Sequence, residues 1–281
     1  MSRVHSAALQ GVDGVPVEVE VRISSHLPRI DIVGLPEAAV RESAARVRAA
    51  VLATGMSFPD RRITVNLAPA ELRKSGAGLD LPIAVGILAA EGSVAIDSLE
   101  RVALFGELAL DGRLRRVRGG LALALAAVDA GCAQAIVPAE SAPEAALAPG
   151  LEVLAARDLG AVVRHLTDVE RLPPAAPAAL CPASPAGDLR EVRGQERARR
   201  GLEIAAAGGH ALLLHGAPGS GKTMLARRLP GILPEPSFEE ALEVTRIHGA
   251  AGILSGAIAT ARPFRAPHHT ASPAGLLGGG N

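Results

Sequence analysis

The chain has 281 residues, enough for two domains of ordinary size, and 48% apolar against 21% charged residues exclude a disordered polymer. Lys+Arg and Asp+Glu both number 29, so the formal charge is zero, which excludes a polybasic tail while leaving room for a local basic groove. Four Phe with no Tyr and no Trp exclude an aromatic stacking platform for single-stranded nucleic acid.

The first residues, MSRVHSAALQGVDG, lack the apolar run of a secretory signal, and the apolar stretches near 79–90 and 121–128 are too short to span a bilayer. Cys132 and Cys181 lie far apart without a CxxC pattern, which fits a reducing compartment and offers no disulfide framework or zinc site. The expectation is a cytoplasmic protein with no membrane contact.

Val15, Val17, Val19, Val21 and Ile23 alternate with Pro16, Glu18, Glu20 and Arg22, the period of a half-buried strand. Residues 29–34 read as a second strand. Pro36 opens a helix to about Thr54, with Gly55 as its stop. A strand over 61–67 follows, and then a helix over 81–90 with Asp80 as its cap and Pro82 in its first turn. Asp111-Gly112 within 105–117 signals a hairpin. A helix over 120–130 and strands at 135–137 and 151–155 complete an α+β domain over 1–171.

Residues 172–187 hold Pro173, Pro174, Pro177, Pro182 and Pro185 with little charge, the signature of an extended linker. The second domain, 188–281, reads as a helix (195–207), a buried strand (211–215), a glycine loop, a helix (222–229) and a further helix (237–247).

The glycine loop carries the chemistry. Gly216, Ala217, Pro218, Gly219, Ser220, Gly221, Lys222 and Thr223 fit GxxxxGK[ST]. Glycines let the backbone wrap a phosphate with its N–H groups pointing inward, and the helix that follows adds partial positive charge. Lys222 is the catalytic candidate, reaching the β- and γ-phosphates, and the Thr223 hydroxyl is the candidate Mg²⁺ ligand. Of 29 basic residues only Lys74 and Lys222 are lysine, and at this composition about 0.002 matches are expected by chance. ATP and Mg²⁺ are the cofactors this motif predicts.

The partner motif is missing. Hydrolysis needs a second strand ending in Asp or Asp-Glu, yet no aspartate follows Asp188, and Glu239, Glu240 and Glu243 share a helical pattern. The stretch after Thr223 is also too short to complete a doubly wound sheet. The expectation is a truncated module that binds ATP without efficient hydrolysis.

Residues 188–281, DLREVRGQERARRGLEIAAAGGHALLLHGAPGSGKTMLARRLPGILP continuing to RPFRAPHHTAS, resemble the YifB/ComM family of magnesium-chelatase-like AAA+ ATPases. PFRAPHH (263–269) is specific to that group. The resemblance implies an α/β architecture: an N-terminal ribosomal-S5-domain-2, Lon-protease-like domain, then the first part of a three-layer P-loop domain. It also implies a homo-oligomeric, hexameric ring and ATP-driven remodelling or branch migration of DNA in transformation. Val192, Gly194 and Gln195 would lie near the adenine, and the second acidic motif, sensors and arginine finger would lie beyond Asn281.

Residues 105–140 look like the Lon stretch whose catalytic lysine follows Gly-Gly-Leu; here that place holds Ala122. The Lon serine turn corresponds to Asp80-Leu81-Pro82-Ile83-Ala84, with Ile83 in place of serine. Neither side chain can attack a carbonyl or take a proton, so the domain reads as protease-inactive.

His268 and His269, with His210, His215 and His248 as helpers, lack metal-ligand spacing, and a loop facing nucleotide, a neighbouring subunit or DNA is the favoured reading. Arginines at 113, 115, 116 and 118, at 197, 199 and 200, and at 227–228 read as a solvated face ahead of phosphate-backbone contacts. The stretch 235–243 reads as an exposed acidic helix face. Two rivals remain: a magnesium chelatase subunit inserting Mg²⁺ into a porphyrin, and a non-catalytic assembly protein that uses nucleotide to fix its oligomeric state.

Overall fold

The structure, a computed structural model, describes residues 1–74, 76, 78–179, 187–254, 258–268 and 270–278. It divides into two units. The first comprises Met1–Ala179 with Leu242–Ile258, and the second comprises Leu180–Ala241 with Ala259–Asn281.

The first unit is built on a seven-stranded mixed sheet in the order β3-β4-β2-β1-β5-β8-β9. β1 (Ser2–Gln10) pairs antiparallel with β2 (Asp13–Ser24), and β2 pairs antiparallel with β4 (Arg62–Ala68). β3 (Arg29–Val33), β5 (Val102–Leu104), β8 (Gln134–Pro138) and β9 (Glu152–Ala156) all join by parallel pairings. The valine alternation puts Val17, Val19 and Val21 fully into the core.

β1 is absent from the sequence expectations although it lies inside the sheet. Two of its buried positions are serines, which mask the apolar alternation. Each is satisfied by a backbone carbonyl: Ser2 Oγ donates to Gly86 O (2.7 Å) and Ser6 Oγ to Leu104 O (2.8 Å).

The helix expected from Pro36 to Thr54 is two pieces, α1 (Ala38–Arg41) and α2 (Ser43–Ala53), broken at Glu42. α3 (Asp80–Glu91) is apolar all round and buried along almost its whole length, as a helix between layers must be. The residue at its N-cap is Leu79, so Asp80 is no side-chain cap. Its carboxylate lies inside the first turn at 0% exposure and accepts hydrogen bonds from Ser43 Oγ, Arg46 and the Leu108 N–H. A fully buried carboxylate needs that many donors, and α2 supplies most of them.

The hairpin forms as expected, with β6 (Glu107–Leu108) and β7 (Leu114–Arg115) around Gly112 at φ +86°. α4 (Gly120–Asp129) packs against β1 and β2 so closely that a Cβ on Gly14 would stand 2.1 Å from Ala122 O. The short α5 (Ala142–Ala145) and α6 (Leu159–Leu166), the latter capped by Asp158 accepting from Ala161 N at 2.7 Å, complete the unit's own helices.

The outer edge of β9 is covered by the proline-rich stretch. Ala155 N donates to Pro173 O (3.1 Å), Ala175 N donates to Val153 O (2.8 Å), and Ala178 N donates to Pro143 O (2.8 Å). Proline cannot donate to a ladder, so alanines carry the N–H contacts here. Cys181, Pro182 and Pro185 fall outside the described residues.

α9 (Phe238–Ala250) runs from the second unit into the Leu242–Ile258 segment of the first. That segment is fastened within the first unit by Arg246–Asp13 (2.9 Å) and by Gly119 N donating to Gly249 O (3.1 Å).

The second unit holds α7 (Glu196–Gly208), α8 (Lys222–Ala226), the first residues of α9 and α10 (Pro273–Leu277). Its small core is Leu189, Val192, Leu202 and Leu225, with Leu214 and Leu229 against it. The expected buried strand at 211–215 is corrected: the segment is not a strand, and Leu213 is 90% exposed. Among the described residues this unit contains no strand, so the segment's N–H and C=O groups have no ladder to join. Among the described residues no helix is long and apolar enough to cross a membrane.

Candidate functional site

The loop from Gly216 to Gly221 follows the 211–215 segment and enters α8. Ser220 N donates to Ala217 O (3.2 Å), closing a tight turn, and Leu225 N donates to Gly221 O (2.9 Å), opening the helix. Gly219 (φ +78°) and Gly221 (φ +85°) stand in the left-handed region that side-chain-bearing residues avoid. The glycines of the motif are therefore required by the backbone path.

Lys222 folds back over this loop. Its Nζ donates to Gly216 O (2.8 Å) and Ala217 O (2.8 Å) and lies 3.3 Å from Ser220 Oγ. An ammonium held by three oxygens is in an environment suited to exchange for phosphate oxygens, which bind a point charge more strongly than neutral carbonyls do. Thr223 is exposed, and among the described residues its hydroxyl has no protein partner. Both groups fit Mg²⁺·ATP: a concave loop with a lysine within it, followed by a free hydroxyl of the hard-oxygen kind that Mg²⁺ prefers.

The structure thus brings Gly216, Ala217, Ser220 and Lys222 into one hydrogen-bonded group, with Pro218 and Gly219 at its exposed tip and Thr223 beside it. Gln195 joins the group, since its Nε2 donates to Ser220 O (3.1 Å). Gly194 (φ +66°) precedes it, whereas Val192 points into the core at 2% exposure.

Arg228 is a contributor that sequence reading grouped with the solvated arginines. Its guanidinium donates to Met224 O (3.1 Å), Asp188 O (3.2 Å) and Glu191 Oε2 (2.9 Å), tying the end of α8 to the start of the unit. An arginine four residues after a helical carbonyl is well placed for that, but the fork's other partners are 37 and 40 positions away and leave no local signal.

The remaining candidates lie elsewhere. His268 Nδ1 is within 2.8 Å of Thr270 Oγ1, and His269 is outside the described residues. Among the described residues no group of three or more His, Cys, Asp or Glu is placed to hold a metal. Arg113, Arg115 and Arg116 lie beside carboxylates of Asp111, Glu107 and Glu144. Glu240 is part of a capping box, accepting from Ser237 N (2.9 Å) while Ser237 Oγ accepts from Glu240 N (3.2 Å). The Ser237 N–H and then Arg262 hold its carboxyl below the usual range. Ile83 and Ala122 are both buried in the first unit's packing.

Comparison with known proteins gives two family matches. Residues 19–141 match the family described as subunit ChlI of Mg-chelatase, and residues 188–281 match magnesium chelatase, subunit ChlI. Similar curated proteins include an uncharacterized protein of Mycobacterium tuberculosis (47% identical over 283 residues, 100% of this chain and 56% of the relative). YifB of Salmonella typhimurium, also described as uncharacterized, is 48% identical over 99% of this chain and 55% of its own length. Competence protein ComM of Haemophilus influenzae is 42% identical over 99% and 55%. The chain spans a little over half the length of these relatives.

Proposed function

We propose that this chain, which belongs to the YifB/ComM family of magnesium-chelatase-like proteins, binds Mg²⁺·ATP through residues 216–223 and serves an AAA+ ATPase that remodels DNA. The observation that carries the nucleotide reading is the Lys222 ammonium resting on Gly216 O and Ala217 O inside a loop bent at left-handed glycines.

In this reading Lys222 turns from the loop carbonyls to the β- and γ-phosphate oxygens, and the backbone N–H groups of the loop hold the phosphate chain. Thr223 supplies an oxygen to Mg²⁺, which neutralises charge on the phosphates. The 281-residue chain alone binds without efficient turnover, because no aspartate follows Asp188 to hold the metal from a second strand. Residues 1–171 form a protease-inactive domain of the Lon and ribosomal-S5 type serving assembly or docking. Residues 172–187 link it to 188–281, the first part of a three-layer P-loop domain. The working assembly is a homo-hexameric ring in the cytoplasm.

The DNA part of the proposal is supported by likeness to a protein named for competence. The rival has its own support, since both family matches are described by a chelatase subunit. Phosphate release by the protein carrying the relatives' full length separates them. Stimulation by branched DNA and indifference to porphyrin supports the DNA reading; the reverse supports the chelatase. Nucleotide binding without turnover under either condition identifies an assembly protein.

A further inference from the structure

We propose that Gln195 is the positioning residue of the phosphate loop: its amide holds the Ser220 carbonyl and thereby sets the direction of the next peptide N–H. The assignment rests on the reading of residues 216–223 as a phosphate loop.

Three observations carry it. Gln195 Nε2 donates to Ser220 O at 3.1 Å, a contact spanning 25 residues of chain. Lys222 takes two other carbonyls of the loop, those of Gly216 and Ala217. The carbonyls of the loop are thus divided between two side-chain donors, and only Lys222 is drawn away when phosphate arrives. Second, Gln195 stands at φ +55°, ψ +37°, the left-handed region that non-glycine residues rarely adopt. Third, a Cβ on Gly221 would lie 3.0 Å from Gln195 Nε2, so the motif's last glycine keeps open the space through which the amide reaches.

The physical link is the planarity of the peptide. Ser220 C=O and Gly221 N–H belong to one trans unit and point in opposite directions, so fixing the oxygen fixes the N–H. An N–H already aimed spends no free energy on orientation when an anion binds. Gln195 touches no phosphate in this scheme and acts through the Ser220–Gly221 peptide. This differs from a role in reading adenine, which the family resemblance suggests for the same residue.

The test uses the intact chain and competition against a fluorescent ATP analogue in Mg²⁺, with ATP, GTP, ADP and AMP as competitors. Gln195→Leu removes the donor. Gln195→Asn keeps an amide and suits the left-handed backbone better, but is one methylene too short to reach Ser220 O. Both variants are expected to bind ATP, GTP and ADP about three- to tenfold more weakly, the range of one neutral hydrogen bond, with AMP unchanged. Full affinity in Gln195→Asn with loss in Gln195→Leu would assign the effect to backbone strain and overturn the proposal. So would unchanged ADP affinity, a loss shared by AMP, or a loss for ATP with none for GTP. Absence of binding by the unaltered chain removes the phosphate-loop reading itself, and this assignment with it.

Discussion

Arg46 grips Asp80 across the packing of α2 on α3, with Nε 2.7 Å from Oδ2 and Nη2 3.0 Å from Oδ1. The carboxylate is fully buried, while the guanidinium keeps one edge toward solvent. Ser43 Oγ and the Leu108 N–H complete the donors, so this one acid ties α2, α3 and the hairpin strand β6 together. Losing the arginine leaves a buried charge without its main partner. Arg46→Ala is expected to destabilise the first unit by about 3 kcal/mol. Asp80→Ala should cost a similar amount, and the double variant clearly less than the sum, because each single change already breaks the pair. Urea unfolding of the four proteins checks this; additive losses would show that the pair is not a unit.

Lys74 is the second lysine of an arginine-rich chain, and its use parallels that of Lys222. Its Nζ, fully buried, donates to Gly34 O (3.0 Å), Leu67 O (2.9 Å) and Pro69 O. A compact ammonium can satisfy three converging carbonyls, whereas a planar guanidinium cannot enter the same space. Lys74→Met should cost about 3 kcal/mol by leaving several carbonyls without donors, and Lys74→Arg should fail to restore it. A Lys74→Arg protein as stable as the unaltered chain would contradict the fit.

His165 gives the first unit a pH dependence. Its Nδ1 accepts from Leu172 N (3.1 Å), which requires that nitrogen unprotonated, and burial with Arg171 nearby lowers its pKa below the ordinary 6.5. A histidine depressed in the fold contributes stability that is fully present above the unfolded value and is lost as pH falls through the folded one. The urea midpoint is therefore expected to drop below about pH 6.5, and His165→Leu should lack that part of the drop. An identical pH profile in the variant would show that other groups carry it.

The valine alternation of β2, the Asp111-Gly112 hairpin and the phosphate loop were legible because each is encoded within a dozen neighbouring residues. β1 escaped because Ser2 and Ser6 occupy buried positions, and their cost is met by carbonyls 84 and 98 residues away. Asp80 looked like a cap because capping is local, whereas its partners come from α2 and β6. The strand expected at 211–215 shows the converse: ALLL has the composition of a buried strand, but a strand exists only with a neighbour to pair. At the site, the motif named the loop and its lysine. The links to Gln195 and Arg228 depend on how α7 and the start of the second unit approach it, which spacing does not encode.

The most direct measurement is equilibrium binding of a fluorescent ATP analogue with Mg²⁺, for the unaltered chain and for Lys222→Ala. Saturable, Mg²⁺-dependent binding is expected, falling at least about tenfold in the variant because a charge-assisted contact to phosphate is removed. Equal binding by both proteins, or none by the unaltered chain, would contradict the assignment of residues 216–223 as a phosphate-binding loop.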